Sequence, residues 1–405
     1  MSRARTFRCR TITISWQIHL PAFEATGFHR GIFKFQSAGE LTYDLESKLI
    51  LDTKQGVARR LARMNLTPHQ TAAYPVRARA MPEAPNVMRP TRSHAQPKMP
   101  RTQKPDASSQ HRILVGPAGW SYSDWKGIVY PTRREKGFHE AEFLAQYFDT
   151  IEINTSFYQP ARADLCRQWL AHVAANPRFL FSAKLWQRFT HETGTSPADV
   201  AAVREGFDVL AEGNRLGAML LQFPFSFHNT PENFGRLETL AQEFSTYPLV
   251  VEVRHSSWMA PPFFDWLRKH QVGFCNIDQP VIGKSVKPTG RATSRIGYVR
   301  LHGRRYDTWF SDDPLTPSSE RYNYLYTEEE LAPWSERIQK TAAHAETTFV
   351  ITNNHFEAKG IVNALELIHL LSGAKVSVPE PLRHHYPRLE KIADQPASEP
   401  TLFPV

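Results

Sequence analysis

From His111 onward the chain alternates short β-branched or apolar runs with longer amphipathic stretches. The runs are Ile113–Val115, Thr150–Asn154, Phe179–Lys184, Ala218–Phe223, Leu249–Arg254, Gly273–Asp278, Gly297–His302 and Thr347–Asn353, and each reads as a strand. Between them Ala141–Phe148, Asp164–Ala174, Pro197–Ala211, Pro231–Phe244, Pro262–His270, Glu328–Ala343 and Gly360–Leu371 read as helices. Pro197, Pro231 and Pro262 suit first turns, where a missing N–H costs little. Eight strands alternating with helices predict an α/β, TIM-barrel-like (β/α)8 fold. One link departs from the pattern: Gln279–Ser294 carries Pro280, Pro288 and two glycines, and predicts a loop.

Side-chain alternation along the strands separates an apolar set from a polar one. With the apolar sets packed on outer helices, Glu152, Asn154, Ser182, Lys184, Gln222, Glu252, Arg254, Asn276, Asp278, Arg300 and His302 are expected to face one crevice. They cluster at the C-terminal ends of their strands, where barrel enzymes carry their sites. So many polar groups on one face favour an open pocket over a dry core.

Upstream of His111 this pattern is lost. Tyr74–Gln110 holds seven prolines among Arg, Lys, Ser and Gln, a composition that cannot build a core and reads as a linker. Residues 31–64 have short apolar runs without a sustained period, and no fold is assigned there. The expected organisation is therefore a basic, disordered extension over 1–110, a barrel over 111–380 and a tail over 381–405. Met64, Met81, Met88 and Met99 are alternative starts, and the arginine-rich first 23 residues lack the apolar stretch of an export signal.

Composition changes the picture in one respect. The net charge of +9 invites a nucleic-acid partner, yet residues 1–110 hold 18 Lys and Arg against 7 Asp and Glu, and the remainder holds 31 against 33. Any nucleic-acid binding is thus expected through the basic extension, as nonspecific phosphate attraction. No run approaches the roughly 18 apolar residues of a membrane span, so no membrane partner is expected and a cytoplasmic location is. Cys9, Cys166 and Cys275 are too few and too dispersed for a disulfide framework or a CxxC site.

Gly116-Pro-Ala-Gly-Trp-Ser-Tyr-Ser-Asp-Trp125 with Tyr130-Pro131, Ile151-Glu-Ile-Asn-Thr-Ser-Phe-Tyr158, Phe181-Ser-Ala-Lys184, Leu221-Gln-Phe-Pro224, Glu252-Val-Arg-His255, Arg300-Leu-His-Gly303 and Asn353-Asn-His355 occur in this order. Together they resemble the YecE-like family (domain of unknown function 72), over about residues 112–372. The resemblance implies a TIM-barrel-like fold and leaves the reaction open; residues 1–110 lie outside it.

The candidate chemistry is read from residue types. Glu252, Glu152 and Asp278 on separate strands suit a general acid and base; a closed ion network with Lys184, Arg254 and Arg300, or a hard metal ion, would use the same residues. Glu252, beside Arg254, is the first choice as base. His302 suits proton transfer or a neutral hydrogen-bonded role. Lys184 suits anion binding, a salt bridge to Glu152, or nucleophilic chemistry. Arg254, Arg300 and Lys184 suit a phosphate- or carboxylate-bearing small molecule, with Asn154, Gln222, Asn353, Asn354 and His355 orienting it. Trp120 and Tyr158 add stacking surface or lid packing. No HxH or HExxH spacing marks a metal site, and no motif names a cofactor. The expected function is an enzyme acting on a polar anionic substrate, with hydrolase or lyase chemistry; a nucleic-acid binder or a relative of barrel phosphodiesterases, and a non-catalytic scaffold, are the alternatives.

Overall fold

The computed structural model describes residues 111–307, 309 and 318–394, and the strands Thr13–Trp16, Ile32–Gln36, Thr42–Asp52 and Val57–Met64. Those four strands pair antiparallel, with Val57–Met64 between Thr13–Trp16 and Thr42–Asp52, and Ile32–Gln36 on the outer side of Thr42–Asp52. Sequence reading assigned no fold there: Tyr43, Leu45, Leu49 and Leu51 do alternate, but Ser47 interrupts the apolar row. The expected disorder of the rest of 1–110, and the linker within it, lie outside the described residues.

The second compact unit is the barrel. Its strands are β1 (Arg112–Pro117), β2 (Thr150–Ile153), β3 (Leu180–Lys184), β4 (Leu216–Gln222), β5 (Leu249–Glu252), β6 (Gly273–Asp278), β7 (Ile296–Leu301) and β8 (Thr347–Thr352). Each pairs parallel with its neighbours from β2 round to β8, and β8 returns to β1. The seam between β1 and β2 is short: Ala118 bridges to Glu152, and the Gly119 N–H donates to the Glu152 carbonyl at 2.8 Å. Gly116 permits that seam, because a Cβ there would overlap the Thr150 carbonyl oxygen.

Helices α1 (Glu140–Leu144), α2 (Ala163–His172), α3 (Pro197–Glu212), α4 (Pro231–Glu243), α5 (Pro261–Lys269), α6 (Glu328–Ala342) and α7 (Lys359–Ser372) fill the expected intervals. Ser196 and Thr327 close capping boxes with Asp199 and Glu330, and Thr230 caps α4, so polar residues before the apolar periods fix where these helices start. Helix α5 begins at Pro261, one residue before the expected Pro262. Between β6 and β7 the chain is irregular, as the Pro and Gly content predicts.

Two apolar layers result. The outer one joins strands to helices and includes Ile151, Phe181, Leu221, Val251, Val299 and Val350. The inner one plugs the barrel with Leu114, Ala218, Leu220, Val250, Cys275, Ile277, Tyr298, Phe349 and Ile351. The packed unit also runs past the expected boundary at 380. Leu382, Leu389 and Ile392 are buried, Val376 bridges to Ala393, and Arg388 pairs with Glu366 at 2.7 Å. Residues 395–405 lie outside the described residues. Among the described residues no helix is long and apolar enough to cross a membrane.

Candidate functional site

Above the apolar plug the inward residues become charged. Tyr298, at the boundary, donates to Glu152 Oε2 at 2.9 Å and lies 2.8 Å from the Ser182 hydroxyl. One turn of the pleat higher on β7, Arg300 spans the barrel. Its Nη2 reaches Glu152 Oε1 at 2.8 Å, and its Nη1 reaches Glu252 Oε2 at 2.6 Å and Gln222 Oε1 at 2.9 Å. Arg254 holds the other Glu252 oxygen through Nε and Nη2 at 3.1 and 3.0 Å. Glu152, Glu252, Arg300 and His302 are fully buried.

Glu252 is therefore caged. Burial alone raises its pKa, yet its neighbours, Arg300 foremost, hold it well below the ordinary carboxylate range. A carboxylate so strongly stabilised as an anion is a weak proton acceptor, and its geometry suits orienting Arg254 and Arg300. His302 completes the cage. Asn353 Nδ2 lies 3.1 Å from His302 Nδ1, which makes that nitrogen the acceptor and places the imidazole proton on Nε2, 3.3 Å from Glu252 Oε1. Burial lowers the His302 pKa to about 3, so it is neutral at physiological pH.

Lys184, at the end of β3, stands differently. Its Nζ is 3.8 Å from Glu152 Oε1, an oxygen that Arg300 already occupies at 2.8 Å. Burial, then the repulsion of Arg300, lowers its pKa to about 8. The Phe157 ring lies 5.3 Å from the ammonium.

A cavity of about 770 Å³ opens over the C-terminal ends of β1, β2, β3 and β8. Of the sequence-expected residues, Lys184, Asn154, Asn353, His355, Trp120 and Tyr158 line it; Glu152, Glu252, Gln222, Arg254, Arg300 and His302 form the network beneath and beside it. Tyr158 is 69% exposed on the lip, whereas Trp120 is buried against Trp169 in an edge-on contact. The loop after β8 sets His355 in place. Tyr122 stacks on its ring at 4.4 Å, Trp125 Nε1 donates to its carbonyl at 2.8 Å, and the Asp124 carboxylate accepts the Glu357 N–H at 2.7 Å. Glu357 and Ala358 there both have positive φ, a cost of order 1 kcal/mol each that these clamps offset.

Two expectations about orientation are corrected. Asn276 and Asp278 do not face the crevice: on β6 it is Cys275 and Ile277 that point inward. Asn276 Oδ1 accepts from the Arg291 N–H and the Thr289 hydroxyl, and its Nδ2 donates to the Arg291 carbonyl. Asp278 pairs with Arg304 at 2.9 Å. For Asn276 the reason is the missing helix after β6, since the irregular segment covering that strand presents backbone N–H and C=O groups that need polar partners, whereas Asp278 turns to the Arg304 guanidinium after β7. Asn354 likewise points outward, donating to Tyr324 O and Asn363 Oδ1 at 2.8 Å each, and holds α7 rather than a ligand. Sequence reading missed Tyr298, although it shares the face of Arg300 and His302, and Tyr322, a cavity residue at the end of the short 3-10 turn Ser318–Tyr322, which has no period to announce it.

With this geometry in place, a family model described as protein of unknown function DUF72 matches residues 114–386. The chain belongs to the DUF72 family. The YecE-like resemblance of the motifs is this same family. The UPF0759 protein YunF of Bacillus subtilis (strain 168) is 29% identical to this DUF72 chain over 282 residues, 64% of this chain and 94% of that relative. A solved DUF72 protein of Thermotoga maritima MSB8 superposes with a TM-score of 0.56 at 32% identity, over 65% of this chain and 100% of that one. One of Enterococcus faecalis V583 does so at 0.57 with 24% identity, over 64% and 95%, and supports the fold alone.

Among the described residues of this DUF72 barrel, no group of three or more His, Cys, Asp or Glu is placed to hold a metal ion. The nucleic-acid expectation rests on side chains of 1–110 outside the described residues. The site does carry a pH signature. Burial holds His302 near 3 and His355 near 4, against an ordinary value of 6.5. Between about pH 6.5 and 4 the unfolded chain binds these protons and the folded one does not. Stability is then expected to fall as pH falls, each histidine adding up to about 1.4 kcal/mol per pH unit. Glu252, depressed in the fold, acts in the same sense below 4.5. Urea midpoints between pH 7.5 and 5 test this: wild type should lose stability on acidification and His302→Gln should show a shallower slope, whereas equal slopes would assign the loss elsewhere.

Proposed function

We propose that this DUF72 barrel is an enzyme for a small substrate bearing a carboxylate or phosphate, bound in the cavity over β1, β2, β3 and β8. One observation carries the proposal. The interior network sets three cations, Lys184, Arg254 and Arg300, against two carboxylates, Glu152 and Glu252, and the cation that lines the cavity is the one without a close carboxylate contact. An anion entering the cavity meets an uncompensated positive charge in a poorly solvated place, where such attraction is strong. Asn154, Asn353 and His355 supply neutral polar groups at its rim, and the aromatic walls exclude water from one side of the ligand.

Within this proposal the proton-transfer group at the cavity floor is Lys184, and Glu152 and Glu252 serve the arginines as anchors. Arg300 is a positioning residue, since it touches no cavity surface. Thermal unfolding with inorganic phosphate, sugar phosphates and small carboxylates is the test. At least one should raise the midpoint of the wild type by several degrees, and Lys184→Ala should abolish the rise while remaining folded. If no anion shifts the wild type, or if the variant keeps the full shift, the proposal fails.

A further inference from the structure

We propose that Lys184 forms an imine with the carbonyl carbon of a small 2-oxo acid, and that the oxo acid's own carboxylate supplies the anion for which the cavity is charged. The inference deepens the function proposed above and rests on it.

The geometry argues from competition for one oxygen. Arg300 takes Glu152 Oε1 at 2.8 Å and leaves Lys184 Nζ at 3.8 Å from the same atom. A lysine that served only to neutralise Glu152 would hold the shorter contact. Instead its amine sits at the cavity floor, with its side chain 10% exposed and the Phe157 ring beside it. Nucleophilic attack needs the neutral amine, and desolvation next to another cation is the way proteins obtain it. At a pKa of about 8, roughly a tenth of the amine is neutral at pH 7, against a few ten-thousandths for an ordinary lysine.

Charge balance narrows the ligand. With Lys184 neutral, Arg254 and Arg300 cancel Glu152 and Glu252. Attack by Nζ on the carbonyl carbon forms the C–N bond and moves the carbonyl π electrons onto oxygen. Both amine protons pass in turn through solvent in the cavity to that oxygen, which leaves as water as the nitrogen lone pair closes the C=N bond. The step is amine plus ketone to imine plus water, with no oxidant or reductant required. Protonation of the imine restores one positive charge, and a carboxylate bonded to the same carbon lies within a few ångströms of it. An uncharged aldehyde would leave that charge uncompensated.

The experiment is reductive trapping on the full chain with glyoxylate and cyanoborohydride, followed by intact mass and peptide mapping. The expected result is one carboxymethyl adduct, on Lys184, formed at least ten times faster than on exposed lysines such as Lys269 or Lys340, with a rate that rises through about pH 8. Lys184→Arg should lose the adduct and keep a thermal shift with glyoxylate, because its charge is retained. Labelling spread evenly over surface lysines would overturn the imine. If glyoxylate then still stabilises the wild type, the anion site stands and only the imine is lost; if it neither labels Lys184 nor stabilises, and no other anion shifts the midpoint, both proposals fall.

Discussion

Arg300→Met is expected to lower stability by at least about 3 to 5 kcal/mol, the cost of removing one member of a buried ion group and stranding the others. Two fully buried carboxylates, Glu152 and Glu252, depend on this one guanidinium. Without it Glu252 keeps Arg254, but Glu152 keeps only Lys184 at 3.8 Å and the Tyr298 hydroxyl. Globular domains have total stabilities of about 5 to 15 kcal/mol, so much of the protein would unfold at moderate temperature. Urea unfolding at pH 7.5 measures the effect. Adding Glu152→Gln to Arg300→Met should recover part of the loss, since the stranded charge is gone. A loss below about 1 kcal/mol would mean that water or a rearranged Lys184 solvates the carboxylates, and the network would no longer count as the rigid floor of the site.

Gly116→Ala is expected to be comparably damaging, through sterics alone. The added Cβ would overlap the Thr150 carbonyl oxygen and lie 2.9 Å from its carbonyl carbon. These are backbone atoms of β2 and cannot rotate away, so the cost should exceed the ordinary overpacking range of about 1 to 3 kcal/mol. The damage should be local first. The seam depends on the Ala118–Glu152 bridge and the bond from Gly119 N–H to the Glu152 carbonyl, so faster amide hydrogen exchange is expected at Ala118 and Gly119. Gly235→Ala, where nothing lies within 4 Å, is the control and should leave stability unchanged or raise it slightly. Equal effects at the two positions would remove the steric explanation.

Both variants probe features that the sequence displays only in part. Glu152 and Arg300 stand out as polar residues at strand ends, but their pairing crosses 148 positions of chain and no local pattern encodes it. Strand alternation divides each strand into two faces without saying which is inside. For β2, β3, β5 and β7 the polar face was inward, because apolar helices cover the outside. For β6 the assignment reversed, because a loop with backbone groups to satisfy covers it. The Pro and Gly content of Gln279–Ser294 announced that loop, so the signal existed and its consequence for Asn276 was the missing step.

The choice among candidate bases changed for a related reason. Glu252 drew attention because Arg254 follows it two residues later on the same face, and that arginine does bind it. What sequence spacing could not show is that Arg300 and His302 also converge on it, leaving no oxygen for a substrate. Lys184 looked like one lysine among many until its amine was seen to be second in line for Glu152.

The sequence by itself determined the eight barrel strands, the seven longer helices that pack around them, the helixless link after β6, the confinement of excess positive charge to residues 1–110, and the family. These follow from local propensity, periodicity and motif order, which are written in contiguous residues. Only the tertiary structure decided the closure at Gly116, the inward or outward sense of β6, and the separation of a caged Glu252 from a cavity-lining Lys184. Those depend on which groups meet through space and how much water they lose there, and burial and charge pairing are properties of the assembled barrel.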